Sequence, residues 1–209
     1  MKRKDFLKSV AIAAGAVAVA PVLLATGSAQ AAGRNATRRT TTSASTLDGN
    51  EIAGLNFMRE EEKVAHDVYV ALYALWGTPV FSNIASSEAS HMAAVLNLLS
   101  RYGLVDPAAS NPPGVFTDHE LQALYDALMA QGRVSEIEAL KVGALIEETD
   151  IQDIRDRMAL TDEDAIISVY QSLLCGSRNH LRAFNRQLVN RGVKYVPEVI
   201  TQAEWDAIA

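Results

Sequence analysis

Glu88 and His91, three residues apart in "SSEASHMAAVLNLLSRYG", are of types and at a spacing that suit a chemical task. A helix puts positions three apart on one face, so a carboxylate and an imidazole so placed can reach one atom. Carboxylate oxygen with imidazole nitrogen is a donor set for iron, manganese or zinc. A second stretch, "CGSRNHLRAFNRQLVNRG", carries His180 twelve residues before Gly192, as His91 stands twelve before Gly103. "FSNIASSEASHMAAVLNLLSRYG" aligns without gaps to "YQSLLCGSRNHLRAFNRQLVNRG", pairing Phe81 with Tyr170, Glu88 with Ser177, His91 with His180 and Leu99 with Leu188. Such self-similarity implies a repeated two-helix unit.

The elements that must position these residues read as helices throughout, with turn signals where helices should stop. A first long helix is expected from Asp48 to Trp76, ending at "GTP", and a second from Val80 to Arg101, closed by Gly103. Pro107, Pro112, Pro113 and Gly114 exclude a continuous helix in the crossing that follows. Asp118 can cap a short helix reaching Gln131, and Ser135, with Glu138 three residues on, has the form of a capping box for a third long helix to Met158. "TDED" opens a fourth, running to Arg191. The expected fold is all-α: a four-helix bundle of two helical hairpins, a long crossover and an extra short helix.

Helical stripes carry further candidates inward. Glu62 shares one with Met58, Ala65 and Tyr69, and Glu147 shares one with Leu140, Ala144, Ile151 and Ile154. An isolated inward carboxylate costs several kcal/mol unless paired or metal-bound. Each of the four helices thus offers an acid or an imidazole to the centre, which a pair of divalent cations would explain. Periodicity leaves alternatives open: Glu61 has its own stripe of Phe57, Val64 and Val68, and Glu148 adjoins Glu147. The run Glu60-Glu61-Glu62 also reads as a solvated face. Tyr69 reads as core packing, with a redox role as the alternative; His66 and His119 are expected at the surface, and Cys175 as a small buried apolar side chain.

"FMREEEKVAHDVY", "FSNIASSEASHM", "GALIEETDIQDI" and "GSRNHLRAF" together resemble a ferritin-like family of unknown function, DUF2202, over residues 50 to 192. The wider ferritin-like di-iron pattern takes a Glu from each of two helices and a Glu-x-x-His from each of the other two. The resemblance implies Glu62, Glu88, His91, Glu147 and His180 as ligands, with iron, as one ion or a pair, as the implied metal. Glu62, Glu88 and His91 would hold one ion; Glu147 and His180 would hold or share the other. Ser177 departs from the pattern, since a glutamate should precede His180 by three, so the two halves are expected to bind unequally. Asp150, one turn after Glu147, is a candidate substitute or supporting partner.

The N-terminus, residues 1–31, has a basic head, an apolar run and a small-residue end, the layout of an export signal. Its "RKDFLK" resembles the twin-arginine motif, with Lys4 in place of the second arginine. The expected location is periplasmic or extracellular. Residues 32–46 hold no large apolar side chain and read as a flexible linker, 47–195 as the folded domain and 196–209 as a C-terminal extension. Of 19 basic and 25 acidic residues, four basic and one acidic lie in the signal and three basic in the linker, leaving 12 basic against 24 acidic. That balance argues against nucleic acid as a partner, and one cysteine excludes an internal disulfide. Expected partners are metal ions with oxygen or peroxide, and a homodimer fits the same reading. The leading function is an exported ferritin-like metalloprotein acting as an oxidoreductase. The alternatives are non-catalytic metal binding and a structural helical bundle of the cell envelope.

Overall fold

The computed structural model describes residues 47–209. The expected export signal and linker, residues 1–46, lie outside the described residues. Six helices and no strand occur among the described residues: α1 (Gly49–Trp76), α2 (Pro79–Arg101), α3 (His119–Gly132), α4 (Glu136–Met158), α5 (Asp164–Asn190) and α6 (Gln202–Ile208). None of them is long and apolar enough to cross a membrane.

Local chemistry sets the boundaries. Asp48 accepts hydrogen bonds from Asn50 N and Glu51 N while Glu51 reaches back to Asp48 N, so α1 starts on a complete capping box. It stops at Gly77, whose φ of 68° is left-handed and whose N–H donates to Tyr73 O. Two residues then turn the chain into α2, which runs back along α1. Asp118 caps α3 as its type suggests. Ser135 caps α4 through Glu138 N, but only half of the expected box forms, because the Glu138 carboxylate accepts from Gln131 Nε2 and Lys141 Nζ instead. α4 pairs with α5, the two pairs face each other through α1 with α4 and α2 with α5, and α3 lies across α1 and α4.

Every long helix runs apolar, polar, apolar. Leu55 and Met58 of α1, Val95 and Leu99 of α2, Ile154 of α4, and Ile166, Tyr170 and Leu173 of α5 fill one end of the bundle. Val68, Leu72, Phe81, Leu140 and Phe184 fill the other, with Leu121 and Leu128 of α3. Between these clusters lies a layer that holds buried Glu62, Glu88, Glu147, Asp150, Ser177 and His180. The segment expected as an extension supplies Ile200, Trp205 and Ile208 to the core.

The glutamate run is not a solvated face: Glu60, Glu61 and Glu62 are all buried. Glu60 accepts from Thr117 N, Asp118 N and Asn111 Nδ2, which ties the crossover to α1. Beside it Lys63 Nζ donates to Asp67 Oδ2 at 2.6 Å and to Pro112 O at 2.9 Å, and Gly114 N donates to the same Asp67 oxygen at 2.8 Å. Gly114 has a φ of 77°, which strains any other residue, and an added Cβ would stand 2.9 Å from Tyr125 Oη, so that ring would also have to shift. His119 is exposed, but His66 is half-buried with Nδ1 3.0 Å from Asp67 Oδ1. Cys175 is exposed, contrary to the reading from residue type. It lies two positions before Ser177, and about 200° of helical rotation turns it away from the polar layer.

Candidate metal centre

The polar layer brings together all five residues singled out in the sequence. Glu62 comes from α1, Glu88 and His91 from α2, Glu147 from α4 and His180 from α5. His91 Nδ1 lies 3.2 Å from Glu62 Oε2 and 2.7 Å from Glu88 Oε2. His180 Nδ1 lies 2.8 Å from Glu88 Oε1 and 3.4 Å from Glu147 Oε2. Two donor sets result, Glu62–Glu88–His91 and Glu88–Glu147–His180, each with its atoms within 4.8 Å of one another. Glu88 belongs to both and not, as expected from the spacing and the resemblance, to the His91 half alone.

The structure also decides between neighbours that periodicity could not separate. Glu62, not Glu61, faces His91. Glu61 lines a narrow cavity with Val64, Ala65, Leu124, Leu128 and Ile146. Glu147 joins the layer, while Glu148 Oε2 accepts from the backbone N–H groups of Glu198, Val199 and Ile200 at 3.0, 2.9 and 3.1 Å. Glu148 therefore docks the C-terminal segment. Tyr69 both packs against Phe81 and Phe184 and donates its hydroxyl to Glu147 Oε1 at 2.6 Å.

Ser87 and Gly176 were missed, and the repeat could have found them, since the gapless alignment places them at equivalent positions. Ser87 Oγ lies 2.9 Å from His180 Nε2. With Nε2 as the donor, the Nδ1 lone pair is turned to Glu88 and Glu147, the orientation a metal-binding imidazole needs. Reciprocally, Gly176 backs onto His91: a Cβ there would stand 2.5 Å from His91 Nε2. This exchange of positions, and the stacking of the two imidazoles at 5.5 Å, is what a two-fold repeat demands. Gly176→Ala is expected to displace the His91 ring and cost about 1–3 kcal/mol. Thermal unfolding with the His91 ring resonances would test this, and unchanged values in both would refute it.

Charge makes the case for a cation. Burial opposes ionisation of Glu88, but the imidazoles of His180 and His91 outweigh it and hold the carboxyl down at about 2. Burial likewise opposes charge on the histidines, yet Glu62 and Glu88 raise His91 to about 11, and Glu147 and Glu88 raise His180 to about 10. Burial raises Glu62, with the charges of Asp150 and Glu88 adding to it, and burial also raises Glu147. Without a cation the layer is held together by protons. Glu88 Oε1 and His180 Nδ1 lie 2.8 Å apart, close enough for both to reach one ion. Carboxylates and Nδ1 lone pairs in a dry layer fit a divalent metal, and binding would exchange the protons for it.

Residues 51–209 match the family described as an uncharacterized protein domain, DUF2202. The chain belongs to the DUF2202 family. The uncharacterized protein MJ0754 of Methanocaldococcus jannaschii is 47% identical to this DUF2202 chain over 162 residues, 78% of this chain and 88% of that protein. The crystal structure of hypothetical protein MJ0754 from Methanococcus jannaschii DSM 2661 is similar to the DUF2202 fold described above, with a TM-score of 0.78 at 44% identity. It covers 81% of this chain and 97% of that one.

Proposed function

We propose that this DUF2202 protein is an exported ferritin-like metalloprotein whose bundle core binds iron and acts with oxygen or peroxide as an oxidoreductase. The observation that carries the reading is the Glu88 carboxylate, set between His91 and His180 with Glu62 and Glu147 completing two donor sets in one buried layer. Two helical pairs with inward acids and imidazoles on all four long helices support the ferritin-like arrangement. Bound iron would supply electron transfer to oxygen or peroxide. The chain's own part is to hold and exclude: Glu62, Glu88, Glu147, His91 and His180 supply the donors, Tyr69 and Ser87 orient Glu147 and His180, and the apolar clusters above and below keep water out. Manganese and zinc suit the same donors, so elemental analysis of protein made with its own N-terminus identifies the metal. Stoichiometric uptake with no consumption of oxygen or peroxide would leave a metal-binding protein without turnover, and no uptake of any divalent ion would refute the reading.

Loading is expected to release protons, because a metal takes the lone pairs that hold protons on His91 and His180. Apparent affinity should therefore rise with pH. Calorimetric titration in two buffers of different ionisation enthalpy reads the proton count. Equal heats in the two buffers would contradict the exchange.

The export part of the proposal rests on residues 1–31. It is tested by sequencing the N-terminus of the protein recovered from the cell envelope, where a chain still starting at Met1 in the cytosol would refute it.

A further inference from the structure

The repeat leaves one carboxylate unaccounted for. Glu62 and Glu147 occupy corresponding places on α1 and α4, so three residues on Ala65 corresponds to Asp150. On α2 and α5 the corresponding pair is Glu88 and Ser177. One half thus has a small residue on its first helix and a carboxylate on its second. The other half has the carboxylate on its first helix and a small hydroxyl on its second.

The structure joins the exchanged residues. Ser177 Oγ, fully buried, donates to Asp150 Oδ2. Asp150 is 5% exposed, and its other oxygen, Oδ1, is buried with no hydrogen-bond partner. A desolvated carboxylate oxygen left without a partner is costly, and a cation is the partner that carboxylates in such layers take. Asp150 also stands near both donor sets: its charge acts on Glu62 in one, and Glu147 and Glu88 act on it from the other. Ala65, at the matching place on α1, lines the cavity that Asp150 borders together with Glu61 and Val64 of the same helix, and its methyl offers no donor of its own.

We propose that Asp150, carried by α4 and held by Ser177, is the fourth carboxylate of the metal centre, standing in for the glutamate that position 177 lacks. The inference rests on the metal-binding function proposed above and adds a ligand to it. It also alters the expected asymmetry: the half containing His180 is completed from α4 and is not left weak.

The test uses the mature protein with cobalt(II) as probe, counting bound ions by elemental analysis and reading coordination from the visible absorption bands. Asp150→Asn is expected to weaken one of the bound ions about tenfold or more and to change the cobalt bands, and Ser177→Ala to weaken it less. The double exchange Asp150→Ala with Ser177→Glu returns the carboxylate to α5 and should restore both stoichiometry and affinity. A purely structural Asp150 would not be replaced by a glutamate on another helix. Wild-type ion count, affinity and spectrum in Asp150→Asn, with cobalt still bound through Glu88, would overturn the proposal and leave the metal reading standing. Failure of the wild type to take up cobalt or iron would overturn both. If Asp150→Asn loses its helical circular dichroism, the double exchange decides: uptake restored supports the assignment, and a folded variant without restored uptake rejects it.

Discussion

Glu88→Ala is expected to empty both halves of the centre at once, lowering affinity for divalent ions by more than about 100-fold, beyond the range typical of changes to supporting residues. The reason is geometric. One carboxylate serves two imidazoles, with Oε2 at 2.7 Å from His91 Nδ1 and Oε1 at 2.8 Å from His180 Nδ1. His180→Ala removes one donor set and leaves Glu62, Glu88 and His91 together, so it should keep part of the metal. Elemental analysis after identical loading separates the two variants. Half the wild-type metal in Glu88→Ala would mean that the halves are independent.

The metal-free protein should feel the same substitution through its protons. Glu88 is held below its ordinary 4.5, so its contribution is present above that value and is lost as pH falls towards about 2. The histidines are held above their ordinary 6.5, so theirs is complete below 6.5 and is lost as pH rises through about 10 to 11. Glu88→Ala should therefore destabilise the metal-free chain most between pH 4.5 and 6.5, and progressively less towards strong acid, where Glu88 is protonated, and strong alkali, where the histidines are neutral.

The residues that spacing alone could find were those on helices with one wet and one dry face. α2 exposes Ser86, Ala89 and Ser90 around buried Glu88, so the inward side of Glu88 and His91 could be read from the pattern. α1 and α4 offer no such contrast. α1 is enclosed by α2, α4, α3 and the crossover, and every residue from Met58 to Ala65 is buried. A helix dry on all sides gives its three consecutive glutamates equal standing, and only the partners distinguish them. Those partners, Thr117 and Asp118 for Glu60 and the segment 198–200 for Glu148, lie in loops far off in sequence. The role of Asp150 was half legible, because the missing glutamate at Ser177 is a sequence observation while the hydrogen bond that joins the two is not.

Asp67→Ala is expected to be strongly destabilising although it lies away from the centre, at about 3–5 kcal/mol, which for a chain of this size lowers the melting temperature by roughly 6–20 °C. Lys63 and Asp67 are both nearly buried, one turn apart on α1, and removing the carboxylate leaves an ammonium with the carbonyls of Pro112 and Val115 and the Phe116 ring but no counter-charge in contact. Gly114 N loses its acceptor in the same step, and with it the crossover loses a tie to α1. Replacing both members, Lys63→Met with Asp67→Leu, removes the stranded charge and should cost less than Asp67→Ala alone, although Gly114 N stays unsatisfied. The pH dependence has a definite sign. Burial works against Asp67 ionisation, but His66, Lys63 and Gly114 N outweigh it and hold the carboxyl below its ordinary 3.8. Its contribution is thus present above 3.8 and fades only as pH falls through the lower folded value, so wild type and variant should converge in strong acid alone. Urea unfolding at neutral pH and below pH 3.8 would measure both quantities. A loss under about 1 kcal/mol at neutral pH, the worth of an exposed pair, would mean that water reaches Lys63 and that the crossover is held by Glu60 instead.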